Sequence, residues 1–332
     1  MAPALGPIAV LGLGATGSHV ARQLRGHAPI QAYDSDADRQ QMVVDALEDG
    51  AVVGAIDGRG CEVVVLATPS GGHARAARRA LNNGAHVVSL SDRPRDVAQL
   101  LALDGAASAA GRTVVAGAGF APGLTCLLAR HAAALLDSVD SVAVSKAGTG
   151  GPACARQHHR ALKRAGRDWV DGTWLLRRGG SGRDLAWFPD PIGARDCYRA
   201  ALPSPLLLQR IFPDASRLSA RVAATRRDRS TSRLPMLRPP HADGGQGAVR
   251  VEVRGLSKGA VETVVYGVMD RPSVAAGAVA AVAALVLRAG GGFAPGAYGL
   301  GECADPLALL LALHERGIRA ATYQGSGPVA PR

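Results

Sequence analysis

Lysine and aromatic side chains are scarce in this sequence. Three of the 38 basic residues are lysine, at Lys146, Lys163 and Lys258, and aromatic residues make up 4% of the 332 positions. The formal charge of +11 would suit a nucleic-acid partner. However, the arginines are dispersed, and the chain has no basic stripe interleaved with aromatic residues of the kind that nucleic-acid-binding surfaces carry. We therefore expect no nucleic-acid partner.

The sequence also lacks closely spaced cysteines. The five cysteines lie far apart and form no C-x-x-C pair, so the sequence predicts neither a disulfide framework nor a zinc site. The neighbouring residues His158 and His159 would point about 100° apart on a helix, which is poor geometry for a shared metal ion. We therefore expect no metal and a reducing, cytoplasmic location.

No apolar run is long enough to predict a membrane span. The longest uncharged apolar stretch, residues 272–287, is shorter than the ~18 residues that a spanning helix needs, and it indicates a buried helix. Residues 1–7 lack the basic start of a signal peptide. With 47% hydrophobic and 20% charged residues, the composition is typical of a globular protein, and we expect a soluble one without a membrane partner.

A short apolar run near the start of the chain breaks into three glycines. Residues 8–11 are followed by Gly12, Gly14 and Gly17 in the spacing G-x-G-x-x-G, and helix-forming residues come next. In a dinucleotide-binding turn the first glycine allows the tight turn, the second lets the backbone approach the pyrophosphate, and the third lets the helix pack close to the strand. The pattern predicts a dinucleotide site; the alternative is an ordinary βαβ turn.

The other predicted cofactor contacts surround this turn. Asp34 ends the second apolar segment, where a carboxylate would bind the ribose of NAD and repel the 2′-phosphate of NADP. Arg39 could attract this phosphate and so favour NADP(H). However, Asp36 and Asp38 add negative charge beside it. We therefore expect NAD(H) to be preferred, with NADP(H) as the alternative. The predicted cofactor-binding residues are Gly12, Gly14, Ala15, Thr16, Gly17, Asp34, Ser35, Thr68 and Pro69.

Strands and helices alternate over the first part of the chain. The clearest strand is the continuous apolar run 62–67, which suits a parallel sheet covered on both faces, and one helix is predicted over 95–110. This alternation predicts the α/β class, with an N-terminal Rossmann domain whose parallel sheet is doubly wound. We assign residues 1–121 to this domain, together with a C-terminal return over 293–325.

The pattern changes after residue 139 and predicts a second, α+β domain over 122–292. Segments 249–254 and 261–266 alternate apolar and polar residues on either side of a glycine-containing turn, which indicates an antiparallel hairpin within a mixed sheet. Residues 226–247 carry many Arg, Pro and Gly residues with few apolar ones, and they predict an exposed loop. A role of this loop as a lid over the active site is left open.

Four segments in this order resemble the saccharopine dehydrogenase-like family of NAD(P)-dependent oxidoreductases. They are the glycine turn 12–17, the strand 87–92 that ends at an Asp, the G-x-x-P-G-L pattern within 117–124, and the closing region 270–306. The resemblance implies a Rossmann domain, a second domain with a mixed sheet that builds a homodimer, and reversible reduction of a C=N bond that joins amino acid-like pieces. Residues 177–199 and 226–247 match no part of the characterised saccharopine or carboxynorspermidine enzymes, so the substrate itself is not carried over.

Reduction of an imine needs a group that exchanges a proton with nitrogen. Asp92, at the carboxyl end of a sheet strand, is the leading candidate; the alternative is a cap on the helix that begins near Pro94. Lys146 is a candidate proton donor, with a solvated surface lysine as the alternative. His158 and His159 are candidate proton shuttles, with an ordinary surface helix face as the alternative.

A carboxylate-bearing substrate would need arginine side chains that bind the carboxylate through two hydrogen bonds, and other residues that line the pocket around it. We predict Arg195 and Arg199 as carboxylate ligands beside Tyr198, although they would otherwise be ordinary surface residues. The start of the helix after the second Gly-rich turn supplies the other predicted substrate-binding residues, Phe120, Pro122 and Gly123.

Two rival functions remain open. One is a sugar or polyol dehydrogenase similar to glucose-fructose oxidoreductase; that superfamily carries Glu-Lys-Pro after the fifth strand, where this chain has Ser91, Asp92, Arg93 and Pro94. The other is a non-catalytic protein that senses a dinucleotide. We predict instead an oxidoreductase that acts on a C–N bond of an amino acid-derived, carboxylate-bearing substrate.

Overall fold

The computed structural model of the chain describes residues 5–236, 240–324 and 327–328. Its strands are β1 (Ile8–Leu11), β2 (Ile30–Tyr33), β3 (Ala51–Val53), β4 (Val63–Leu66), β5 (His86–Ser89), β6 (Thr113–Ala116), β7 (Ser138–Ala147), β8 (Gly166–Val170), β9 (Thr173–Arg177), β10 (Asp184–Trp187), β11 (Ala194–Arg199), β12 (Arg217–Ala223), β13 (Gly247–Ser257), β14 (Ala260–Asp270), β15 (Gly296–Gly299), β16 (Ala320–Gln324) and β17 (Gly327–Pro328).

The α-helices surround these strands. They are α1 (Ala15–Leu24), α2 (Ala37–Leu47), α3 (His73–Asn82), α4 (Pro94–Leu101), α5 (Asp104–Ala109), α6 (Leu124–Ala133), α7 (Pro152–Leu162), α8 (Ser204–Ile211), α9 (Arg226–Thr231), α10 (Pro272–Arg288) and α11 (Pro306–Glu315). Within the ranges given above, none of the helices has the length and hydropathy that crossing a lipid bilayer requires.

The first sheet has seven strands in the order β15-β6-β5-β4-β1-β2-β3, and every pair in it is parallel. All residues of β1, β4 and β6 are buried, because helices cover both faces of the sheet. The predicted doubly wound parallel sheet is therefore confirmed. Its carboxyl ends meet at one edge, where the segments after β1, β4, β5 and β6 converge.

The second sheet has ten strands. Its main order is β10-β11-β12-β7-β13-β14-β16-β17, and the β8–β9 hairpin joins at β12. Strand β12 runs parallel to β7 while β13 pairs antiparallel with β7, so the sheet is mixed as expected. The predicted hairpin is confirmed: β13 and β14 pair antiparallel from Gly247 opposite Asp270 to Ser257 opposite Ala260.

The helix predicted over 95–110 is wrong as a single element. The chain forms α4, breaks at residues 102–103, and starts again as α5. The break places Asp104 at the start of α5, where its Oδ1 accepts a hydrogen bond from the N–H of Ala297 in β15 at 2.8 Å. This tertiary contact coincides with the break in the local helix pattern.

Two of the last strands of the chain, β15 and β16, join different sheets. Within the expected return 293–325, β15 pairs with β6 in the first sheet, whereas β16 pairs with β14 in the second. The loop expected over 226–247 contains the short helix α9, and residues 237–239 lie outside the described part of the chain. Near its end, Asp243 packs against the start of α10, where its carbonyl accepts a hydrogen bond from Ser273 Oγ at 3.1 Å.

Helix α10 leaves the second sheet and packs along α1 of the first domain. Gly277 allows this approach, because a Cβ there would lie 2.6 Å from the Cβ of His19. Thirteen of the seventeen residues of α10 are buried, as expected for the apolar stretch 272–287. This helix therefore joins the two sheets and covers one face of the first.

Candidate active site

The glycine turn, residues 12–17, joins β1 to α1 and uses each glycine differently. Gly12 has a φ of +93°, and a Cβ on it would stand 2.8 Å from the backbone of Ala67 and Thr68. A Cβ on Gly17 would overlap the carbonyl oxygen of Gly12, whereas a Cβ on Gly14 would have no atom within 4 Å. The open space beside Gly14 is what close approach of a pyrophosphate requires, and the first N–H groups of α1 have no partner within the helix.

Asp34 lies beside this turn. Its carboxylate accepts a hydrogen bond from the N–H of Leu13 at 2.7 Å, and its side chain is 8% exposed. Arg39 forks between two carboxylates, with Nη1 3.3 Å from Asp34 Oδ1 and Nη2 2.9 Å from Asp36 Oδ2. The arginine that could attract a phosphate is therefore already held by two acids. Ser35 is exposed next to them.

A cavity of about 110 Å³ that opens to solvent lies where the carboxyl edge of the first sheet meets β7 and α7. The segments that follow β1, β4, β5 and β6 line one wall, and β7, α7 and α10 line the other. The lining residues are Thr16, Ala67, Ser70, Leu90, Asp92, Gly119, Phe120, Ala121, Pro122, Lys146, Ala147, Gly148, Gly150, Ala153, Cys154, His158, Pro272 and Ala276. The cavity thus brings together the glycine turn and three of the four predicted catalytic residues.

Lys146 and Asp92 form an ion pair across this cavity. Lys146 Nζ lies 3.9 Å from Asp92 Oδ2 and 3.4 Å from the carbonyl oxygen of Ala121, to which it donates a hydrogen bond. Lys146 is 6% exposed, so the alternative of a solvated surface lysine is wrong. The N-cap of α4 is Arg93 without a side-chain hydrogen bond, so Asp92 does not serve as that helix cap.

His158 and Cys154 complete the polar end of the cavity from one face of α7. His158 is buried, and Cys154 Sγ lies 3.9 Å from Asp92 Oδ2, to which its thiol donates. Burial, and then the charge of Lys146, lower the pKa of His158 well below its ordinary value of 6.5. Burial, and then the charge of Asp92, raise the pKa of the Cys154 thiol to about 11. Both side chains are therefore neutral at pH 7.

A buried hydrogen-bond network supports the loop between β4 and α3. His73 Nε2 donates to the carbonyl oxygen of Thr68 at 3.0 Å, so its Nδ1 accepts from Ser89 Oγ at 2.8 Å. Burial lowers the pKa of His73 from 6.5, which keeps this neutral tautomer. The loop then presents Ser70 Oγ to the cavity, where it donates to Asp92 Oδ1 at 3.2 Å.

The G-x-x-P-G-L turn before α6 forms the floor of the cavity. Gly123 has a φ of +117°, and a Cβ there would overlap the backbone of Gly119. This turn places Phe120 and Pro122 in the cavity wall, whereas Gly123 lies behind them as the N-cap of α6. Thr68 and Pro69, predicted to contact the cofactor, are exposed on the loop that follows β4.

Four predicted site residues lie elsewhere. His159 faces away from the cavity and bonds the carbonyl oxygen of Leu234 at 2.9 Å. Arg199 Nε lies 2.8 Å from Asp168 Oδ2, the Arg229 guanidinium stacks 4.1 Å from the centre of the buried Tyr198 ring, and Arg195 is exposed. These contacts join Arg199 to β8 and Tyr198 to α9, and none of these four residues lines the cavity.

Comparisons with known proteins rest on the fold. No protein-family model matches the chain, and no curated protein matches its sequence. Saccharopine dehydrogenase (L-Glu forming) from Saccharomyces cerevisiae is similar over 96% of this chain and 100% of its own, with a TM-score of 0.72 at 15% identity. The chain shares its fold with saccharopine dehydrogenase. The resemblance expected from the four sequence segments is thereby confirmed for the architecture.

Two further solved structures are similar to the chain. Amine dehydrogenase from Mycobacterium smegmatis matches 91% of this chain and 97% of its own, with a TM-score of 0.53 at 13% identity. DAP dehydrogenase from C. glutamicum, in complex with DAP, matches 93% and 98%, with a TM-score of 0.50 at 16% identity. At these identities the likeness to saccharopine dehydrogenase and its relatives is one of fold.

Sequence reasoning missed three residues of the site. Ser70 follows a strand end and a proline, Cys154 is one of five scattered cysteines, and His73 opens α3. Cys154 had one available signal: it lies four residues before His158, so the two side chains share a face of a helix. The roles of Ser70 and His73 depend on the neighbouring strand β5, and no local pattern indicates them.

Proposed function

We propose that the protein is an NAD(P)-dependent oxidoreductase that acts on a C–N bond of an amino acid-derived substrate. One observation carries the proposal: the ion pair between buried Lys146 and half-buried Asp92 shares a cavity with Thr16 of the glycine turn. A buried charged pair is costly to maintain, and in a cleft beside a dinucleotide-binding turn it is typical of a catalytic site.

The residues present fit a nicotinamide dinucleotide. The open space at Gly14 and the free N–H groups at the start of α1 would hold the pyrophosphate, and Asp34 would receive the ribose hydroxyls. When bound, such a cofactor supplies or accepts a hydride. The cavity lies at the strand ends, where this fold class places the nicotinamide end of the dinucleotide.

The chain's own residues then handle the proton. Reduction of a C=N bond adds a hydride to carbon and a proton to nitrogen, and oxidation of the amine removes both. We assign the proton exchange at nitrogen to Lys146 Nζ, because Lys146 is the one lysine or arginine among the described residues that line the cavity. Asp92 holds this ammonium in place, and Ser70 fixes the carboxylate through its hydrogen bond at 3.2 Å. The apolar side chains of Leu90, Phe120 and Pro122 line the same cavity and would reduce the contact of a bound substrate with water.

A substrate panel tests this function. Purified protein is mixed with NADH or NADPH and pairs of 2-oxo acids and amino acids, and loss of the nicotinamide absorbance is followed; polyols with NAD⁺ form a second arm. We expect turnover with an oxo acid–amine pair and none with polyols. Turnover with polyols would establish the sugar dehydrogenase, and cofactor binding without turnover on any pair would establish the dinucleotide sensor.

We propose further that NAD(H) is the preferred cofactor. Asp34 and Asp36 place two negative charges at the ribose position, and Arg39 neutralises one of them. The remaining charge would repel the 2′-phosphate of NADP, which carries roughly −2. The Arg39 fork supports this preference, because releasing the arginine toward a phosphate would break two ion pairs.

We also propose a homodimer formed through the second domain. Leu256 and Val261 face each other across the end of the β13–β14 hairpin, and they are 44% and 59% exposed. Apolar residues paired at an exposed edge favour burial against a second copy. Light scattering at micromolar concentration should give twice the 33.9 kDa chain mass, and the mass of a single chain would contradict the proposal.

A further inference from the structure

Three side chains of different chemistry meet at the polar end of the cavity. Asp92, Cys154 and His158 each offer one ligand atom, and these atoms all lie within 4.8 Å of one another. Cys154 and His158 are one helical turn apart on α7, while Asp92 lies in the short segment between β5 and α4. A carboxylate oxygen, a thiolate sulfur and an imidazole nitrogen together are a typical ligand set for zinc.

The imidazole of His158 supplies a second observation. His158 is 8% exposed and lines the cavity, yet its Nε2 has no hydrogen-bond partner among the described residues. A buried polar nitrogen without a partner is destabilising, because it has lost its hydrogen bonds to water and gained none. A metal ion bound at Nε2 would replace the missing partner in the tautomer that carries its proton on Nδ1, because Nε2 then has a free lone pair.

The spacing is close to that of a metal centre. Zinc–ligand bonds of about 2.0–2.3 Å place tetrahedral ligand atoms about 3.3–3.8 Å apart. The 4.8 Å limit of the cluster exceeds this by roughly 1 Å, a gap that side-chain rotation can close. We propose that Asp92, Cys154 and His158 bind a divalent cation of the zinc type, with the fourth position open to the cavity.

Such a cation and the ammonium of Lys146 exclude each other. Lys146 Nζ and Cys154 Sγ both lie 3.9 Å from the same oxygen, Asp92 Oδ2. A metal bound to this oxygen would take the carboxylate from the lysine. On binding, an S–Zn bond replaces the S–H bond of Cys154, and the thiol proton leaves to the buffer. The metal-bound form is therefore an inhibited form. This consequence rests on the proposed function, whereas the metal binding itself is independent of that function.

Cobalt provides a direct test. Co²⁺ bound to a thiolate gives a charge-transfer absorption band that aqueous Co²⁺ lacks. We expect a saturable band on titrating the full chain, lost in Cys154→Ser and shifted at least tenfold to higher Co²⁺ in His158→Gln. The neighbouring His159→Gln is the matched control and should titrate like the wild type, because His159 bonds Leu234 outside the cluster. No band, a band that survives Cys154→Ser, or equal effects of the two histidine variants would each overturn the proposal.

A second measurement uses only the wild-type chain, in case the variants do not fold. A ligand that binds the folded state raises the melting temperature with its concentration. Zn²⁺ should raise it and Mg²⁺, which prefers oxygen ligands, should not. No shift with Zn²⁺ would overturn the proposal. If Zn²⁺ binds but no substrate is turned over, the metal site stands and the proposed oxidoreductase function fails; if turnover is found, added Zn²⁺ should suppress it.

Discussion

The cavity has two polar regions that are built on different principles. The glycine turn presents backbone N–H groups and open space within six consecutive residues, and the side chain of Asp34 supports it through the N–H of Leu13. The ion-pair cluster, made of Asp92, Lys146, Cys154 and His158, uses side chains from three elements, and Asp92 and Cys154 are 62 residues apart. Changes in the glycine turn should therefore act through sterics, and changes in the cluster through charge.

Replacing Lys146 tests the charge half of this contrast and should have the largest effect. We expect Lys146→Met to lower kcat by about 10²–10⁴-fold, the usual range for losing a general acid or base, while NADH affinity is unchanged. Lys163→Met, at an exposed lysine just after α7, is the control. Steady-state kinetics with the substrate found by the panel decide the outcome, and an unchanged kcat would remove Lys146 from the mechanism.

Two glycine variants test the steric half. Gly17→Ala forces a Cβ into the carbonyl oxygen of Gly12 and should cost about 3 kcal/mol of unfolding free energy, measured by urea denaturation. Gly14→Ala meets no atom within 4 Å, so its stability should be unchanged. Its Cβ would stand where the pyrophosphate approaches, and NADH affinity should fall about tenfold or more. Equal stability losses in both variants would contradict the different roles given to these glycines.

Cofactor preference is a smaller effect that depends on charge at the edge of the glycine turn. Titration of the wild type should show NADH binding up to about a hundredfold more tightly than NADPH, since a unit-charge contact near ~4 Å is worth a few kcal/mol before screening. In Asp34→Ser the preference should largely disappear, because the 2′-phosphate loses one repelling carboxylate and Arg39 is then held by Asp36 alone. Tighter wild-type binding of NADPH would show that Arg39, and not Asp34, dominates this site.

The buried support beneath the cavity should appear in the pH dependence of stability. The pKa of His73 is lowered from 6.5 in the folded chain, so the unfolded chain binds a proton first as the pH falls. Below about pH 6.5 each pH unit should therefore cost up to about 1.4 kcal/mol of unfolding free energy until the folded-state pKa is reached. His73→Gln should lose this part of the slope in urea titrations between pH 7 and 5, whereas the exposed His314→Gln should keep it.

The sequence predicted local elements of the fold better than contacts between elements that are distant in the chain. The glycine turn, the parallel sheet and the β13–β14 hairpin follow from period and spacing within short segments, and they were predicted correctly. Asp92 and Lys146 were candidates because of their positions near strand ends. Their contact depends on how β5 and β7, from different sheets, lie against each other, and no local pattern contains that information.

The predicted site residues that lie outside the cavity differ from the others for the same physical reason. Arg195 and Arg199 were chosen for their chemistry in a Gly- and Pro-rich segment, but that segment forms β10 and β11, and Arg199 is held by Asp168 in β8. His158 and His159 could not be separated by residue type. The rotation of α7 against the cavity buries the first and turns the second toward Leu234.

The packing of α10 on α1 has a practical consequence for cutting the chain. A fragment that ends at residue 121 would contain six of the seven strands of the first sheet, but it would lack β15 and the helix whose Gly277 seats against His19. The apolar side of α1 and the faces of β4 and β5 that α10 covers would meet water. A fragment designed to isolate the dinucleotide-binding half should therefore carry residues 272–317 as well, joined to it through a short linker.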